Sequence, residues 1–181
     1  MSFLSYTKNF NDNLLMFLLR DPKRYMPIVE FFDKSTQDLS ELTQAEAELV
    51  AAEVSEDNHS EFCNGIRKGM ISALQTDPIA LKSEKFMSVL NFARKLNQDS
   101  SSITQSDIQA VRDAGWSEQT VEDTVGLVAI QNLYNIIANG LGFKGLSEAV
   151  FAEIAQDTVH KGGYATSFRS FIIQPEEPLS T

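Results

Sequence analysis

Apolar residues recur every three or four positions over most of the chain, the spacing of one buried helical face. The first run, Asn11 to Leu19, is short and built from Leu14, Leu15, Phe17, Leu18 and Leu19. Proline is tolerated in a first turn, so a second helix is expected from Pro22 to Lys34, burying Tyr25, Ile28, Val29 and Phe32. Pro27 should interrupt or shorten it. Ser35 to Glu41 reads as a polar turn. Thr43 with Glu46 forms a capping box that opens a third helix, ending at the corner Asp57-Asn58-His59. Ser60 caps a fourth, with Phe62, Ile66, Met70, Ala73 and Leu74 as its stripe, and Thr76-Asp77-Pro78 ends it.

The second half continues in helices. Lys85 to Leu96 carries Phe86, Val89, Leu90, Ala93 and Leu96 on one side, and Asn97 to Ser102 is a polar loop. Thr104 and Asp107 open the next helix, which stops at Gly115. The longest element runs from a Ser117 cap to about Asn139, with Val121, Val125, Val128, Ala129, Asn132, Leu133 and Ile136 along one face. Leu127, Ile130, Tyr134 and Ile137 lie off that stripe. A helix apolar on most sides must be covered on most sides, by a central place in the core, by self-association, or by both. Gly140, Gly142 and Gly145 make a turn and no phosphate loop, since no strand precedes them and no Lys-Ser/Thr follows. Ser147 caps a helix to about Asp157, Gly162-Gly163-Tyr164 breaks it, and Ser167 to Ile173 forms a short docking segment. The expectation is one all-α domain over residues 1–173 and a loose tail over 174–181.

Length fits that reading, because 181 residues suffice for one sizeable core. With 43% hydrophobic and 22% charged residues, the chain is ordinary for a globular protein. A net charge of −10, with Lys and Arg scattered, argues against nucleic acid and against an anionic membrane surface. One cysteine excludes an internal disulfide framework. No signal-type segment and no spanning run of apolar residues is evident, so a cytoplasmic location is expected.

Candidate chemistry concentrates between Glu48 and Arg67. Winding the third helix at about 100° per residue puts Glu46, Glu53 and Asp57 on one side and Glu48 roughly opposite, among Ala45, Ala51 and Ala52. That carboxylate should be partly buried. Cys63, the lone cysteine, sits within the fourth helix's apolar stripe, and Arg67 follows one turn later at its edge. A helix N-terminus and a nearby guanidinium favour the thiolate, whereas burial and the eight acids Asp38, Glu41, Glu46, Glu48, Glu53, Glu56, Asp57 and Glu61 favour the thiol. On residue types alone, Cys63 is either a nucleophile or a small packed hydrophobe. Arg67 and Glu48 are either a pair that satisfies a buried carboxylate or a functional one. His59, beside Ser60, could reach the site, but neither histidine has metal-ligand partners at suitable spacing, so no metal site and no cofactor are indicated.

The stretch resembles the alkylhydroperoxidase D-like (AhpD-like), or carboxymuconolactone decarboxylase, family, in its peroxidase-related branch. That motif runs Glu, eleven residues, Cys-x-x-Cys, three residues, His. Glu48, Ser60, Cys63 and Arg67 occupy the four positions, so that Ser60 stands for the resolving cysteine and Arg67 for the histidine. Further likeness lies in Asn91-Phe92-Ala93-Arg94-Lys95-Leu96, in Thr104 and Asp107, in Ala114-Gly115-Trp116-Ser117 and in the run from Asn135 to Gly142, covering about residues 10–170 in all. The resemblance implies a helical homo-oligomer with Cys63 as attacking thiol, Glu48 as proton acceptor, Arg67 as a fixed cation, Ser60 in the resolving position, and His59 and Phe62 as possible lining. It implies reduction of hydroperoxides. With a single cysteine, an external thiol must recycle the sulfenic acid. The alternatives are a non-redox member acting on an anionic small molecule, and a structural helical oligomer whose site has decayed.

Overall fold

The computed structural model describes residues 2–4 and 13–172. Among these there are ten α-helices and no strand: α1 (Leu14–Leu19), α2 (Pro22–Gln37), α3 (Gln44–Asp57), α4 (Glu61–Ala73), α5 (Pro78–Leu81), α6 (Glu84–Gln98), α7 (Gln105–Asp113), α8 (Glu118–Gly140), α9 (Glu148–His160) and α10 (Tyr164–Ile172). Asn11, Ile173 and the expected tail over 174–181 lie outside the described residues.

Local chemistry sets most boundaries. The Thr43 hydroxyl accepts from the Glu46 N–H at 3.2 Å, and the Glu46 carboxylate accepts from the Thr43 N–H at 2.8 Å. Asp107 accepts from the Thr104 N–H at 2.7 Å, and Gly115 past the end of α7 takes a left-handed φ of 91°. Three expectations are corrected. Pro27 does not shorten α2, which runs on to Gln37 because Val29, Phe32 and Thr36 are buried along it. Ser35 to Gln37 of the expected polar turn are therefore helical, the buried Thr36 hydroxyl bonding to the Phe32 carbonyl at 3.2 Å, and the chain leaves the helix only at Asp38. Pro78 also starts a short helix of its own, capped by Asp77. Finally, α10 begins at Tyr164, where a docking segment was expected only from Ser167.

α3 lies at the centre, with Ala47, Val50 and Ala51 fully buried, and it packs on α4, α6 and α8. α4 is gripped from the other side by α9. There Gly65 and Gly69 face Phe151 and Ala155; a Cβ on Gly65 would overlap the Phe151 ring, and one on Gly69 would lie 3.0 Å from the Phe151 carbonyl oxygen, so the two glycines allow the close approach. α2 packs on α8 and α10, and α2 and α10 bring Phe32 and Tyr164 to Arg67 in the middle of α4.

The structure distinguishes the two sides of α8. Its inward face carries Thr120, Thr124, Gln131 and Asn135 together with Leu127, Val128, Ile130 and Tyr134. Gln131 donates to Ser55 at 2.8 Å and to Asn135 at 3.0 Å. Hydrogen bonds among Ser55, Gln131 and Asn135 offset much of the cost of burying them, although Gln131 Oε1 has no partner among the described residues. The outer face is left with Val125, Ala129, Leu133 and Ile136 from the named stripe, while Val121 and Val128 of the same stripe are buried.

Candidate functional site

The site forms where α2, α3, α4, α8 and α10 meet. Burial of Glu48 on the alanine face of α3 is complete, at 0% exposure, deeper than its position among alanines suggested. A buried carboxylate must be paired or hydrogen-bonded. Arg67, 5% exposed one turn beyond Cys63 on α4, supplies one partner, with Nη1 3.3 Å from Glu48 Oε2. Tyr164, the first residue of α10, supplies the other, its hydroxyl donating to Glu48 Oε1 at 2.7 Å. Arg67 Nη1 also donates to the Tyr164 oxygen. The three groups therefore form a closed triangle from α3, α4 and α10.

Aromatic rings fix the guanidinium in place. Its central carbon lies 4.0 Å from the Phe32 ring centroid and 4.8 Å from that of Tyr164. Phe32 meets Tyr164 and Tyr134 edge-on at 5.0 and 5.4 Å between centroids.

Cys63 is buried at 1% exposure, beside Ser60, Gln131 and Arg67. Burial pushes its thiol above the ordinary range, and Ser60, the Arg67 charge and Gln131 oppose that without overcoming it. Of the two opposing influences expected for Cys63, desolvation wins. Burial likewise raises Glu48, against the pull of Arg67 and Tyr164, and raises Tyr164 and Tyr134. Arg67 stays charged, its own desolvation outweighed by Tyr164, Glu48 and Cys63.

A cavity of about 600 Å³ opens on this cluster. Phe62, Cys63 and Arg67 line its inner part with Phe32, Tyr134 and Tyr164, and Glu153, Lys161 and Phe171 stand toward solvent. Of the nominated residues, Glu48 stands outside the lining and holds Arg67 from behind. Ser60 takes the N-cap position of α4 but makes no cap hydrogen bond, and its hydroxyl is buried without a partner. Phe62 packs edge-on against Phe151 at 5.6 Å. His59 is exposed at the α3–α4 corner with φ 52°, away from the lining. No hydrogen bond among the described residues joins Glu48 to Cys63.

Tyr164, Phe32, Tyr134 and Gln131 are the site residues that sequence reasoning missed. A carboxylate among alanines demanded more donors than Arg67 alone, and that was the signal for a second partner. Nothing in the order of residues marks Tyr164 as that partner. Among the described residues, no group of three or more His, Cys, Asp or Glu could hold a metal ion, and no helix is long and apolar enough to cross a membrane.

No protein-family model matches the chain, and no curated protein sequence does. Solved structures do. An uncharacterized peroxidase-related protein from Ralstonia eutropha JMP134, described as an alkylhydroperoxidase AhpD core, superposes with a TM-score of 0.69 at 20% identity, over 83% of this chain and 84% of that one. An uncharacterized peroxidase-related protein from Silicibacter sp. TM1040 superposes with a TM-score of 0.69 at 19% identity, over 78% of this chain and 81% of that one. The fold is the AhpD-like helical fold.

Proposed function

We propose that this chain is a thiol-dependent, peroxidase-like protein in which Cys63 reduces a hydroperoxide and an external thiol restores it. The observation that carries the reading is Cys63 in the wall of a cavity beside a buried cation that Glu48 and Tyr164 hold in place. Both solved neighbours are peroxidase-related by name, which supports the same chemistry here.

In this reading the Cys63 thiol loses its proton to Glu48 through an intervening water, and Arg67 stabilises the thiolate. Sγ attacks the terminal peroxide oxygen. The S–O bond forms as the O–O bond breaks, and the departing alkoxide takes up a proton and leaves as alcohol. Sulfur is oxidised by two electrons to the sulfenic acid. A thiol then displaces water to give a mixed disulfide, and a second thiol frees Cys63. Ser60 cannot resolve the intermediate and serves as a polar neighbour of the sulfur. Arg67 never deprotonates at ordinary pH, so it positions and stabilises rather than shuttling protons.

The alternative of an anionic ligand is disfavoured by Glu48, which already neutralises Arg67. A structural module with a decayed site is disfavoured by the buried ion pair itself, which apolar residues replace without loss in many proteins. The reading extends to a cytoplasmic homo-oligomer joined through the outer apolar face of α8.

Trapping with a dimedone-type reagent after exposure to an organic hydroperoxide tests it by mass spectrometry. Cys63 should be sulfenylated faster than a free thiol, more slowly in Glu48→Gln, and not at all in Cys63→Ser. Oxidation no faster than that of a free thiol overturns the reading.

A further inference from the structure

The cavity is far larger than a peroxide group requires. At about 600 Å³ it falls among the roughly 300–1,000 Å³ pockets that take whole small molecules. Its walls are mainly apolar, formed by Leu18, Val29, Phe32, Ile66, Ile154 and Phe168. Its inner end holds Arg67, whose protein acceptors, Glu48 and Tyr164, both engage Nη1, while Nε has no acceptor. Nε is closed off from the cavity, whereas Nη2 has no acceptor among the described residues and remains accessible, and a free donor on a cavity-lining side chain points to a ligand oxygen.

The charges define that oxygen. Glu48 already balances Arg67, so an ionised ligand head would bring a second, unbalanced anion into a buried site. Toward solvent, Lys161 is committed to Asp157 at 2.8 Å, and exposed Glu153 has no ion-pair partner among the described residues. Both ends of the cavity therefore disfavour a carboxylate.

We propose that this cavity binds a neutral alkyl chain ending in one uncharged oxygen group, of the fatty alcohol or fatty aldehyde class, with the chain along the apolar walls and the oxygen at Arg67. Binding is independent of any redox role for Cys63.

Calorimetric titration of the Cys63→Ser protein with 1-butanol, 1-hexanol, 1-octanol and 1-decanol tests the proposal, with octanoate and decanoate as matched anions. Affinity for the alcohols should rise about fourfold per methylene, the fold-change equivalent to about 0.8 kcal/mol per buried CH₂. The carboxylates should bind more weakly at every length. Ile154→Trp, which fills the half-buried wall, should abolish 1-decanol binding. Should that variant fail to fold, nuclear Overhauser contacts from 1-decanol to the Ile66 methyls of the wild type place the chain directly. Absence of alcohol binding, an affinity flat in chain length, carboxylates binding as tightly as alcohols, or bound decanol without contact to Ile66 each overturns the proposal. Because sulfur is absent from the titrated protein, chain binding without Cys63 oxidation sinks only the peroxidase reading, and oxidation without chain binding sinks only this one.

Discussion

Tyr164 and Glu48, 116 positions apart, are joined by a 2.7 Å hydrogen bond that ties the start of α10 to the middle of α3. The bond closes the Glu48–Arg67–Tyr164 triangle and puts the Tyr164 ring over the guanidinium. One residue thus completes the polar cluster and forms part of the cavity wall.

Tyr164→Phe keeps the ring and removes only the hydroxyl. Glu48, itself fully buried, then loses one of its two side-chain partners. The expected loss is about 1–3 kcal/mol, the usual cost of a buried group left short of a hydrogen bond. Urea unfolding measures it directly. A change below about 0.5 kcal/mol would mean that the bond is not maintained in solution.

Glu48→Gln should be costlier, since it leaves the Arg67 charge buried without its counterion. The expected loss is about 3–5 kcal/mol. Glu48→Met combined with Arg67→Met should recover most of it, because a paired charge replaced by apolar bulk is often neutral or stabilising. Comparison of the single and double variants by chemical denaturation separates a lost attraction from an orphaned charge. Equal losses in both would assign the effect to packing.

The helical plan was readable because its signals are local. Thr43 with Glu46, Thr104 with Asp107, Pro22 and Gly115 act within a turn of themselves, and each marks a boundary where expected. The burial of Glu48 and Cys63 was legible for the same reason, since helical spacing puts them on inward faces, whereas Arg67, expected at the edge of its stripe, is buried by α2 and α10. Tyr164 was not, because only the tertiary fold brings α10 to α3. Which side of α8 faces inward was not legible, for a different physical reason. Its polar residues Gln131 and Asn135 hydrogen-bond to each other and to Ser55 inside the core, so polarity there does not mean exposure.

Acid should expose the contribution of Glu41, whose carboxylate accepts from the Ser117 and Thr120 hydroxyls and from the Ser117 N–H at the start of α8. These bonds, the Ser117 hydroxyl foremost, hold its pKa down at about 2. A carboxyl depressed on folding binds fewer protons in the native state than in the unfolded one, where its pKa is about 4.3. Its stabilisation is therefore complete above that value and is lost as pH falls toward about 2. Glu48 has the opposite sign: raised by burial, it makes stability fall as pH climbs above the unfolded carboxyl value. Thermal melting followed from pH 6 down to pH 2 should show a shallower acid-side decline in Glu41→Gln than in wild type. Parallel curves would mean that Glu41 does not hold its cap.

The outer face of α8 should carry a subunit contact. Val125 is 42% exposed, Leu133 37% and Ile136 68%, and with Ala129 they repeat at helical spacing, so the stripe is continuous. Phe31, 52% exposed, reaches toward Gly126 on the same helix and widens the patch. Contiguous apolar surface of this kind on a soluble protein marks an interaction site more often than scattered residues do. Self-association would cover it with an equivalent stripe from a second chain, since the commonest closed assemblies pair like surfaces. Ile136→Glu puts a charge into the centre of that contact and should shift light-scattering mass toward the 20.2 kDa monomer, with little loss of helix content because the position is exposed in the isolated chain. A wild type that is monomeric at high concentration, or an Ile136→Glu protein with unchanged mass, removes α8 as the interface.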